Sequence, residues 1–217
     1  MSDVWSARAE AFRASEPHRE GADLDLVVEW CEPDQGIKAL DVATGGGHVA
    51  RRLREAGCEV VTVDPAPGMR PDVISRAEHL PFEDESFDVV VCRIAAHHFP
   101  DIAAAVTEMA RVSRRLLVID DLLFDGEDVE EAHRLRDPTH IRSLTEDEWR
   151  ELITAAGFEV EQVQIFDQRR LDLEPWLERV EVPAEDRERV RELLGDATDG
   201  ETVRMPLIVL QARKSQS

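Results

Sequence analysis

The sequence predicts a doubly wound α/β fold whose mostly parallel sheet holds about six or seven strands. Three observations lead to this prediction. Strand and helix patterns alternate after residue 36, the central strand segments are continuously apolar, and a glycine-rich loop joins the first strand to the helix that follows it. Continuous apolar runs are typical of strands covered on both faces, and alternation with helices favours parallel connections.

The elements are expected in the following order. The first 35 residues predict two helices, at 4–14 and 23–31, broken by Pro17 and Gly21. Asp101 can cap one later helix, and Thr145 with Glu148 forms a capping box for another that ends near residue 157. The remaining pattern predicts an amphipathic helix at 48–56 and strands at 37–42, 59–63, 87–92, 116–119, 158–165 and 202–211, with one or two charged helices before the last strand.

The chain contains no internal repeats and no low-complexity linker. We therefore expect a single domain over 1–217, made of an N-terminal helical lid at 1–35 and an α/β core at 36–217. Ligands of such folds bind beyond the carboxyl ends of the central strands. The loops after Val42, Val63, Cys92 and Ile119 are accordingly the expected functional loops.

Composition limits the function further. The formal net charge is −21, and Lys38 and Lys214 are the only lysines. A protein with this large negative charge repels phosphate backbones. We therefore expect no nucleic-acid partner. We also expect no membrane partner and a cytoplasmic protein, because no run approaches the ~18 apolar residues of a membrane span and the N-terminus lacks a signal-peptide pattern.

The acidic, lysine-poor composition also fits a protein adapted to concentrated salt, where charge repulsion is screened. A GC-rich genome that prefers arginine would explain the lysine count equally simply. Cys31, Cys58 and Cys92 lie far apart and form no Cys-x-x-Cys pair. This spacing predicts buried reduced thiols, with no disulfide framework and no metal site.

The strongest functional signal is a glycine loop with two acids. Gly45 and Gly47 follow the first strand, Asp41 precedes them within it, and Asp64 ends the next strand. Glycines allow close approach to a ligand, and an acid at the position of Asp64 can accept hydrogen bonds from both hydroxyls of a ribose. The loop with its acid predicts a nucleoside-containing cofactor.

The pattern Gly45, Gly47 and Ala50 also satisfies the dinucleotide-binding spacing, so a nicotinamide or flavin cofactor is an alternative. Asp41 argues against it, because a carboxylate beside the loop repels a pyrophosphate at the helix N-terminus. An amino-acid headgroup fits better, with its ammonium group toward Asp41 and its carboxylate toward the loop amides.

A run of ordered motifs makes the prediction specific. Leu-Asp-Val-Ala-Thr-Gly-Gly-Gly-His at 40–48 resembles the first motif of class I S-adenosylmethionine-dependent methyltransferases, which have a Rossmann-like sheet. The similarity is greatest to the small-molecule subgroup that includes the ubiquinone/menaquinone C-methyltransferases. Further matches are Val-Asp-Pro at 63–65, Pro-Gly-Met at 67–69, Ala-Glu-His-Leu-Pro-Phe at 77–82, Ser-Phe-Asp-Val-Val at 86–90, the segment 92–101 and Arg-Asp-Pro-Thr-His-Ile-Arg at 136–142.

The resemblance implies S-adenosylmethionine as cofactor and assigns its contacts. Asp41 and the loop would hold the methionine part, Asp64 the ribose, and Met69 and the Ala77 amide the adenine. The full set of cofactor-binding candidates is Asp41, Ala43, Thr44, Gly45, Gly47, Asp64, Pro65, Met69, Ala77, Glu78, Arg93 and Ile94.

Two features depart from the family pattern. Only residues 65–71 separate Asp64 from the next strand segment, and a parallel crossover normally takes a dozen residues or more. We therefore expect the third strand to be short or missing. In addition, Arg76 stands where the family usually has an aspartate for the adenine amino group, and Glu78 is its expected substitute.

The candidate catalytic residues are histidines. His97 and His98 follow the fourth strand, and His140 lies in the later Asp-Pro-Thr-His motif. Adjacent residues point in different directions, so at most one of the first two is expected to face the transferred group as a general base. Hydrogen bonding that shapes the loop is the alternative. The pair Arg169–Arg170 is too small a cluster to indicate an anion site.

The resulting prediction is an enzyme that transfers a methyl group from S-adenosylmethionine to a small-molecule acceptor, under a lid formed by the N-terminal helices and residues 124–142. One alternative is a degenerate, non-catalytic relative that binds a nucleoside or acts as a scaffold. A less favoured one is an NAD-dependent oxidoreductase. The acceptor and the oligomeric state do not follow from the sequence.

Overall fold

The computed structural model describes residues 2–215. Its main sheet has seven strands in the order β3-β2-β1-β4-β5-β9-β6. These are β1 Lys38–Val42, β2 Glu59–Asp64, β3 Val73–Ile74, β4 Phe87–Arg93, β5 Ser113–Leu122, β6 Phe158–Phe166 and β9 Leu207–Lys214. All neighbours pair in parallel except β9, which runs antiparallel to β5 and to β6. The predicted doubly wound, mostly parallel sheet is confirmed.

Helices cover both faces of this sheet. Their bounds are α1 Ser2–Ala14, α2 Glu16–Arg19, α3 Ala22–Trp30, α4 His48–Glu55, α5 Ile102–Val112, α6 Glu127–Arg136, α7 Glu146–Ala155, α8 Leu173–Glu178 and α9 Ala184–Leu194. Within the described part of the chain, no helix is both long enough and apolar enough to cross a membrane.

The alternation of side chains along β4 explains the two covered faces. Val89 and Val91 pack with α3 and α4 on one face, whereas Val90 and Cys92 pack with α5 and α7 on the other. All four side chains are essentially inaccessible. Burial on both faces requires the continuous apolar run seen in the sequence. The helix caps predicted at Asp101 and Thr145 are both present.

The order of the strands positions the site. From β1 the chain crosses to β2 and β3 on one side, and then returns to β4 on the other side of β1. At such a reversal of strand order the connections diverge, which leaves a crevice at the carboxyl ends of the strands. The loops after β1, β2 and β4 meet there.

The shortened segment after Asp64 forms a single 3₁₀ turn, Pro67–Met69, followed by the two-residue β3. The expectation of a short third strand is confirmed. Helix α1 packs directly on this turn. The amide of Gly68 donates to Ser6 Oγ at 3.1 Å, and Arg13 donates to the Gly68 carbonyl at 3.0 Å.

Two expected elements differ in the structure. Three helices, not two, precede β1, and α3 is buried against the sheet while α1 and α2 border the crevice. The strand predicted at 202–211 is divided: β8 Thr202–Arg204 pairs with β7 Arg170–Asp172 in a separate two-stranded sheet, and β9 begins after Pro206. Proline has no amide hydrogen to donate to a strand ladder, which explains the break.

The segments 124–142 and 167–206 form a second apolar cluster beside the crevice. It packs α6, α8 and α9 around Trp176 and Leu207. The three cysteines are free and buried, as the sequence predicted.

Candidate active site

A cavity of about 520 Å³ opens at the carboxyl ends of β1, β2 and β4. Every predicted cofactor-binding residue except Gly47 lines it. It is also lined by His98, a candidate catalytic residue, and by residues that were not assigned to the cofactor: Trp5, Phe12, His18, Gly46, His48, Val49, Arg76, Ala95, Phe99 and Pro100. Most follow from the same motifs, whereas Trp5, Phe12 and His18 come from the N-terminal helical segment.

Asp41 lies at the floor of the cavity with 2% of its surface exposed. Its Oδ2 accepts hydrogen bonds from Thr44 Oγ1 at 2.6 Å and from the amide of Ala50 at 3.2 Å. Among the described residues, none of the recorded hydrogen bonds reaches Oδ1. Burial raises the pKa of Asp41 to about 6, against the opposing effect of those two hydrogen bonds, and nearby Asp64 adds to the rise. This carboxylate is suited to a cationic ligand group, which would stabilise its charge.

Asp64 ends β2 on the other side of the loop and is 6% exposed. Its Oδ2 accepts from the amide of Gly45 at 3.0 Å, and Oδ1 accepts from the amide of Ala66 at 2.9 Å. Burial raises the pKa of Asp64, and the two amides act in the opposite direction. Because an ionised carboxylate has about four acceptor positions, two amide donors leave capacity for the two hydroxyls of a ribose.

The glycine loop between these acids needs its glycines for two reasons. Gly45 has φ +51° and Gly47, the N-cap of α4, has φ +74°, both in the left-handed region. A Cβ on Gly46 would lie 2.5 Å from His48 Nε2. That nitrogen lies 3.2 Å from the carbonyl of Phe12, which joins the loop to α1. Gly47 therefore shapes the loop, and Gly46 is the middle glycine that borders the cavity.

The residues that the resemblance assigns to adenine also line the cavity. Met69 and Ala77 are buried. Glu78 is 8% exposed, and its Oε1 lies 3.2 Å from the guanidinium of Arg76. The same oxygen accepts from the amide of Asp101 at 3.5 Å. Arg76, which replaces the usual aspartate, thus reaches the cavity as the partner of Glu78.

Arg93 lines the cavity, but acids already neutralise its charge. Its guanidinium pairs with Asp23 of α3 and, at 3.2 Å from Nε, with Asp120 of β5. It also donates to the carbonyl of His18 at 2.9 Å. These contacts tie the N-terminal helices to the sheet. Ile94, the next residue, has φ +49°, so the chain turns sharply away from β4 beside the cavity.

His97 does not line the large cavity. Its Nδ1 lies 2.5 Å from Asp121 Oδ1, and its amide donates to Asp121 Oδ2 at 2.7 Å. Burial lowers the pKa of His97 to about 3, so the imidazole is neutral at pH 7. Burial also raises the pKa of Asp121 to about 7, so its carboxyl group is partly protonated near neutral pH and either partner can donate in the hydrogen bond between Nδ1 and Oδ1.

His98 is the histidine that lines the large cavity. Its ring packs edge-on against Trp5 of α1 with centroids 4.6 Å apart. Its Nδ1 lies 3.0 Å from the carbonyl of Thr139. Burial and the neighbouring His97 lower the pKa of His98 to about 3. Only one member of the pair therefore faces the cofactor cavity.

His140 lies beside a second, smaller chamber. Its Nε2 is 3.0 Å from Glu130 Oε2 of α6, which also accepts from the amide of Ser143 at 3.2 Å. Burial acts to raise the pKa of Glu130, but these hydrogen bonds outweigh it and lower the pKa to about 2. Glu130, His133 and His140 each offer a possible metal-ligand atom within 4.8 Å of the others. The absence of a metal, expected from the cysteines, stays a prediction.

The chain is similar to known methyltransferases in sequence and in structure. Residues 40–116 match a family described as a methyltransferase domain. The protein named "Uncharacterized methyltransferase YcgJ" of Bacillus subtilis (strain 168) is 32% identical over 218 residues, which cover 90% of this chain and 85% of that protein. The chain belongs to the class I S-adenosylmethionine-dependent methyltransferase family.

Solved structures agree with the assignment of this methyltransferase. The BH2331 protein of Bacillus halodurans C-125 superposes with a TM-score of 0.79 and 29% identity, covering 90% of this chain and 100% of that one. The crystal structure of YcgJ gives a TM-score of 0.78 and 26% identity, covering 90% and 99%. The predicted methyltransferase family is confirmed, whereas the similarity to the ubiquinone/menaquinone subgroup stays a prediction.

The sequence did not single out several residues beside the site. Two of these residues, Asp121 and Arg179, lie outside the recognised motifs, and a third, Arg136, begins the motif at 136–142. Their roles depend on contacts with distant segments of the chain. The signal for Asp121 was present in the sequence, since an acid at the end of a central parallel strand points toward the crevice. Nothing local identified Arg179.

Proposed function

We propose that this methyltransferase uses S-adenosylmethionine and transfers its methyl group to a small-molecule acceptor. One observation carries the proposal. Asp41 and Asp64, at the carboxyl ends of adjacent strands, flank the glycine loop and line the same 520 Å³ cavity. Two carboxylates without a basic counterpart in the loop suit an aminoacyl nucleoside and disfavour a diphosphate.

The residues present fit that cofactor. Asp41 would hold the ammonium group, the amides of the glycine loop the carboxylate, Asp64 the ribose hydroxyls, and Met69 with Ala77 the adenine. The buried, hydrogen-bonded state of both acids supports this fit, because both side chains are already oriented before a ligand arrives. Bound S-adenosylmethionine supplies an electrophilic sulfonium methyl group.

The protein's own contribution is orientation, exclusion of water and removal of a proton. Trp5 and Phe12 of α1 lie over the cavity, and we propose that α1 and α2 act as its cover within one catalytic unit spanning the chain. An in-line displacement requires mainly alignment of the two reacting atoms. If the acceptor must lose a proton, His98 is the histidine of the pair placed at the cavity wall to accept it. Its pKa of about 3 makes it a weak base, so this transfer suits an acidic acceptor.

Calorimetric titration with S-adenosylhomocysteine tests the cofactor assignment. We expect one saturable site in the wild-type chain and at least a tenfold weaker dissociation constant in Asp64→Ala, since each lost hydrogen bond to a charged group is worth about 1.5–3 kcal/mol. Asp64→Asn, which preserves the shape of the side chain, should also weaken binding.

The matched control is Asp196→Ala, which removes an exposed acid far from the cavity and should leave the affinity unchanged. NADH serves as the ligand control and should not bind. Equal affinity of Asp64→Ala and wild type for S-adenosylhomocysteine, or tighter binding of NADH, would reject the proposed function.

A further inference from the structure

A second chamber, of about 70 Å³, adjoins the cofactor cavity. The two share a wall made of Phe12, His18, Ile94 and His98. Because a cavity of about 150 Å³ accommodates a benzene ring, this chamber has room for one compact polar group. A group held here lies next to the place where the acceptor must meet the methyl donor.

Three arginines from separate segments line this chamber: Arg136 ends α6, Arg169 lies between β6 and β7, and Arg179 follows α8. Nearly all other arginines of the described residues form ion pairs. Among the described side chains, those of residues 4–16 and 18–215, no carboxylate lies within ion-pair distance of these three. Arg70, the fourth arginine in these ranges without such a partner, is exposed. The three half-buried arginines without an ion-pair partner therefore all line the second chamber.

The three arginines are half-buried, and partial burial without a counter-charge is costly for the protein alone. It lowers the pKa of Arg136 to about 9 and lowers the pKa values of Arg169 and Arg179, and the charge of Arg169 adds to the effect on Arg179. Arg136 is held in place, since it donates to the carbonyl of Trp176 and stacks at 4.1 Å on that ring. Among the described residues, no side-chain hydrogen bond is recorded for Arg169 or Arg179.

The acids around the chamber do not compensate for these charges. Asp137 is the one carboxylate in its wall, and both of its oxygens are engaged by Arg8, at 3.2 Å and 3.3 Å, with Thr139 also donating. Beyond the wall, Asp23 and Asp120 act on Arg169, and both lie against Arg93. Burial raises the pKa of Asp120 well above its usual value, which favours its neutral form and leaves Asp23 as the counter-charge of Arg93.

The histidines of the wall add little charge at pH 7. Burial lowers the pKa values of His18, His97, His98 and His133, which keeps these four rings neutral. His140 pairs with Glu130. In a chain with 47 acidic residues and a net charge of −21, the unpaired positive charge at this point stands out.

We propose that the methyl acceptor carries an anionic group, a carboxylate or a phosphate, which Arg169 and Arg179 bind in the second chamber while the nucleophile reaches the cofactor cavity beside His98. Planar guanidinium groups match both anions in geometry and charge. The proposal rests on the proposed function, since it names the class of acceptor for the same site.

The test uses two small anions on the full chain, inorganic phosphate followed by ³¹P NMR and trifluoroacetate followed by ¹⁹F NMR. We expect at least one anion to bind saturably, and the Arg169→Gln/Arg179→Gln double variant to weaken its dissociation constant at least tenfold. The anion with the lower dissociation constant indicates whether the acceptor carries a phosphate or a carboxylate.

The control is the Arg70→Gln/Arg189→Gln double variant, which removes the same charge from exposed positions and should bind the anion like wild type. Thermal unfolding supplies a second readout. The bound anion should raise the melting temperature of wild type but not that of the Arg169→Gln/Arg179→Gln variant. Without the anion, this variant should melt no lower than wild type, because the repulsion between the two arginines has been removed.

Absence of saturable binding to wild type, or equal weakening in the two double variants, would overturn the anionic-acceptor proposal. The S-adenosylhomocysteine titration of the same preparations separates the two proposals. The Arg169→Gln/Arg179→Gln variant should bind S-adenosylhomocysteine with wild-type affinity. If S-adenosylhomocysteine does not bind the wild-type protein, that result contradicts the cofactor assignment and not the anion site.

Discussion

At the scale of single residues, Asp41 is required by the proposed cofactor and unfavourable for the fold. Its carboxylate is buried at the floor of the cavity, and burial raises its pKa to about 6 from an ordinary value of 3.8. Between these two values the folded state binds more protons than the unfolded state, so the free energy of unfolding falls as the pH rises. The ionised side chain therefore lowers stability at neutral pH.

Replacing Asp41 with Asn should separate these two effects. The amide oxygen of Asn can still accept from Thr44 and Ala50 without a buried charge. A shift of about two pKa units predicts that Asp41→Asn is more stable than wild type by about 2–3 kcal/mol at pH 8, and equally stable near pH 4. Urea unfolding at the two pH values measures the difference.

In the same variant, affinity for S-adenosylhomocysteine should fall, because the cationic ammonium group loses its counter-charge. A variant that is less stable than wild type at pH 8 would contradict the assigned burial cost. Unchanged affinity would show that Asp41 does not contact the ammonium group.

The sequence predicted residues that act through local motifs and missed those that act together only in the fold. Asp41 and Asp64 were identified because the glycine loop fixes their spacing. The Arg169–Arg170 pair alone did not indicate an anion site, and Arg170 pairs with Asp199 at the surface. Arg169 instead faces the chamber with Arg136 and Arg179, which lie on other segments.

At the scale of elements, the packing of α1 on the Pro67–Met69 turn determines how the cavity is covered. A Cβ added to Gly68 would lie 2.6 Å from Ser6 Cα and 2.7 Å from the Ser6 carbonyl oxygen, both backbone atoms of α1. Backbone atoms cannot rotate away as a flexible side chain would. Gly68→Ala should therefore displace α1 while leaving the sheet intact.

Limited trypsin digestion can detect this displacement, because Arg8 and Arg13 are cleavage sites within α1. We expect cleavage there to be several-fold faster in Gly68→Ala than in wild type, with little change in the thermal unfolding of the core. Ile74→Ala, an exposed substitution in the adjacent β3, is the control and should be cleaved like wild type. Identical rates in all three proteins would argue against docking of α1 at Gly68.

The order of elements was largely predictable, because buried strands and capped helices have local patterns. The short β3 followed from the number of residues available after Asp64. The contact between α1 and the turn did not, since no local pattern pairs Ser6 with Gly68. The break before β9 was missed because the apolar pattern continues through Met205, although Pro206 interrupts the hydrogen bonding.

At the scale of the whole molecule, the net charge of −21 favours expansion of the chain through self-repulsion. Raising the ionic strength from 0.1 M to 1 M shortens the screening length from about 10 Å to about 3 Å. We expect the melting temperature to rise in molar KCl, since acids greatly outnumber bases and exposed ion pairs contribute little. Differential scanning calorimetry across a KCl series measures the change.

A choline chloride series at matched ionic strength tests whether screening, rather than a specific potassium effect, is responsible. The two salts should give parallel increases. A melting temperature that stays constant or falls in both series would remove the physical basis for the hypothesis of adaptation to concentrated salt.

The antiparallel strand β9 lies between β5 and β6, although it follows every other strand of the described chain. During synthesis on the ribosome, the edges of β5 and β6 that pair with β9 therefore stay unpaired until β9 has been synthesised. Until then both present open hydrogen-bonding edges that can recruit another chain. Interruption of translation before Leu207 would accordingly yield an aggregating product, not a smaller enzyme that retains its cofactor cavity.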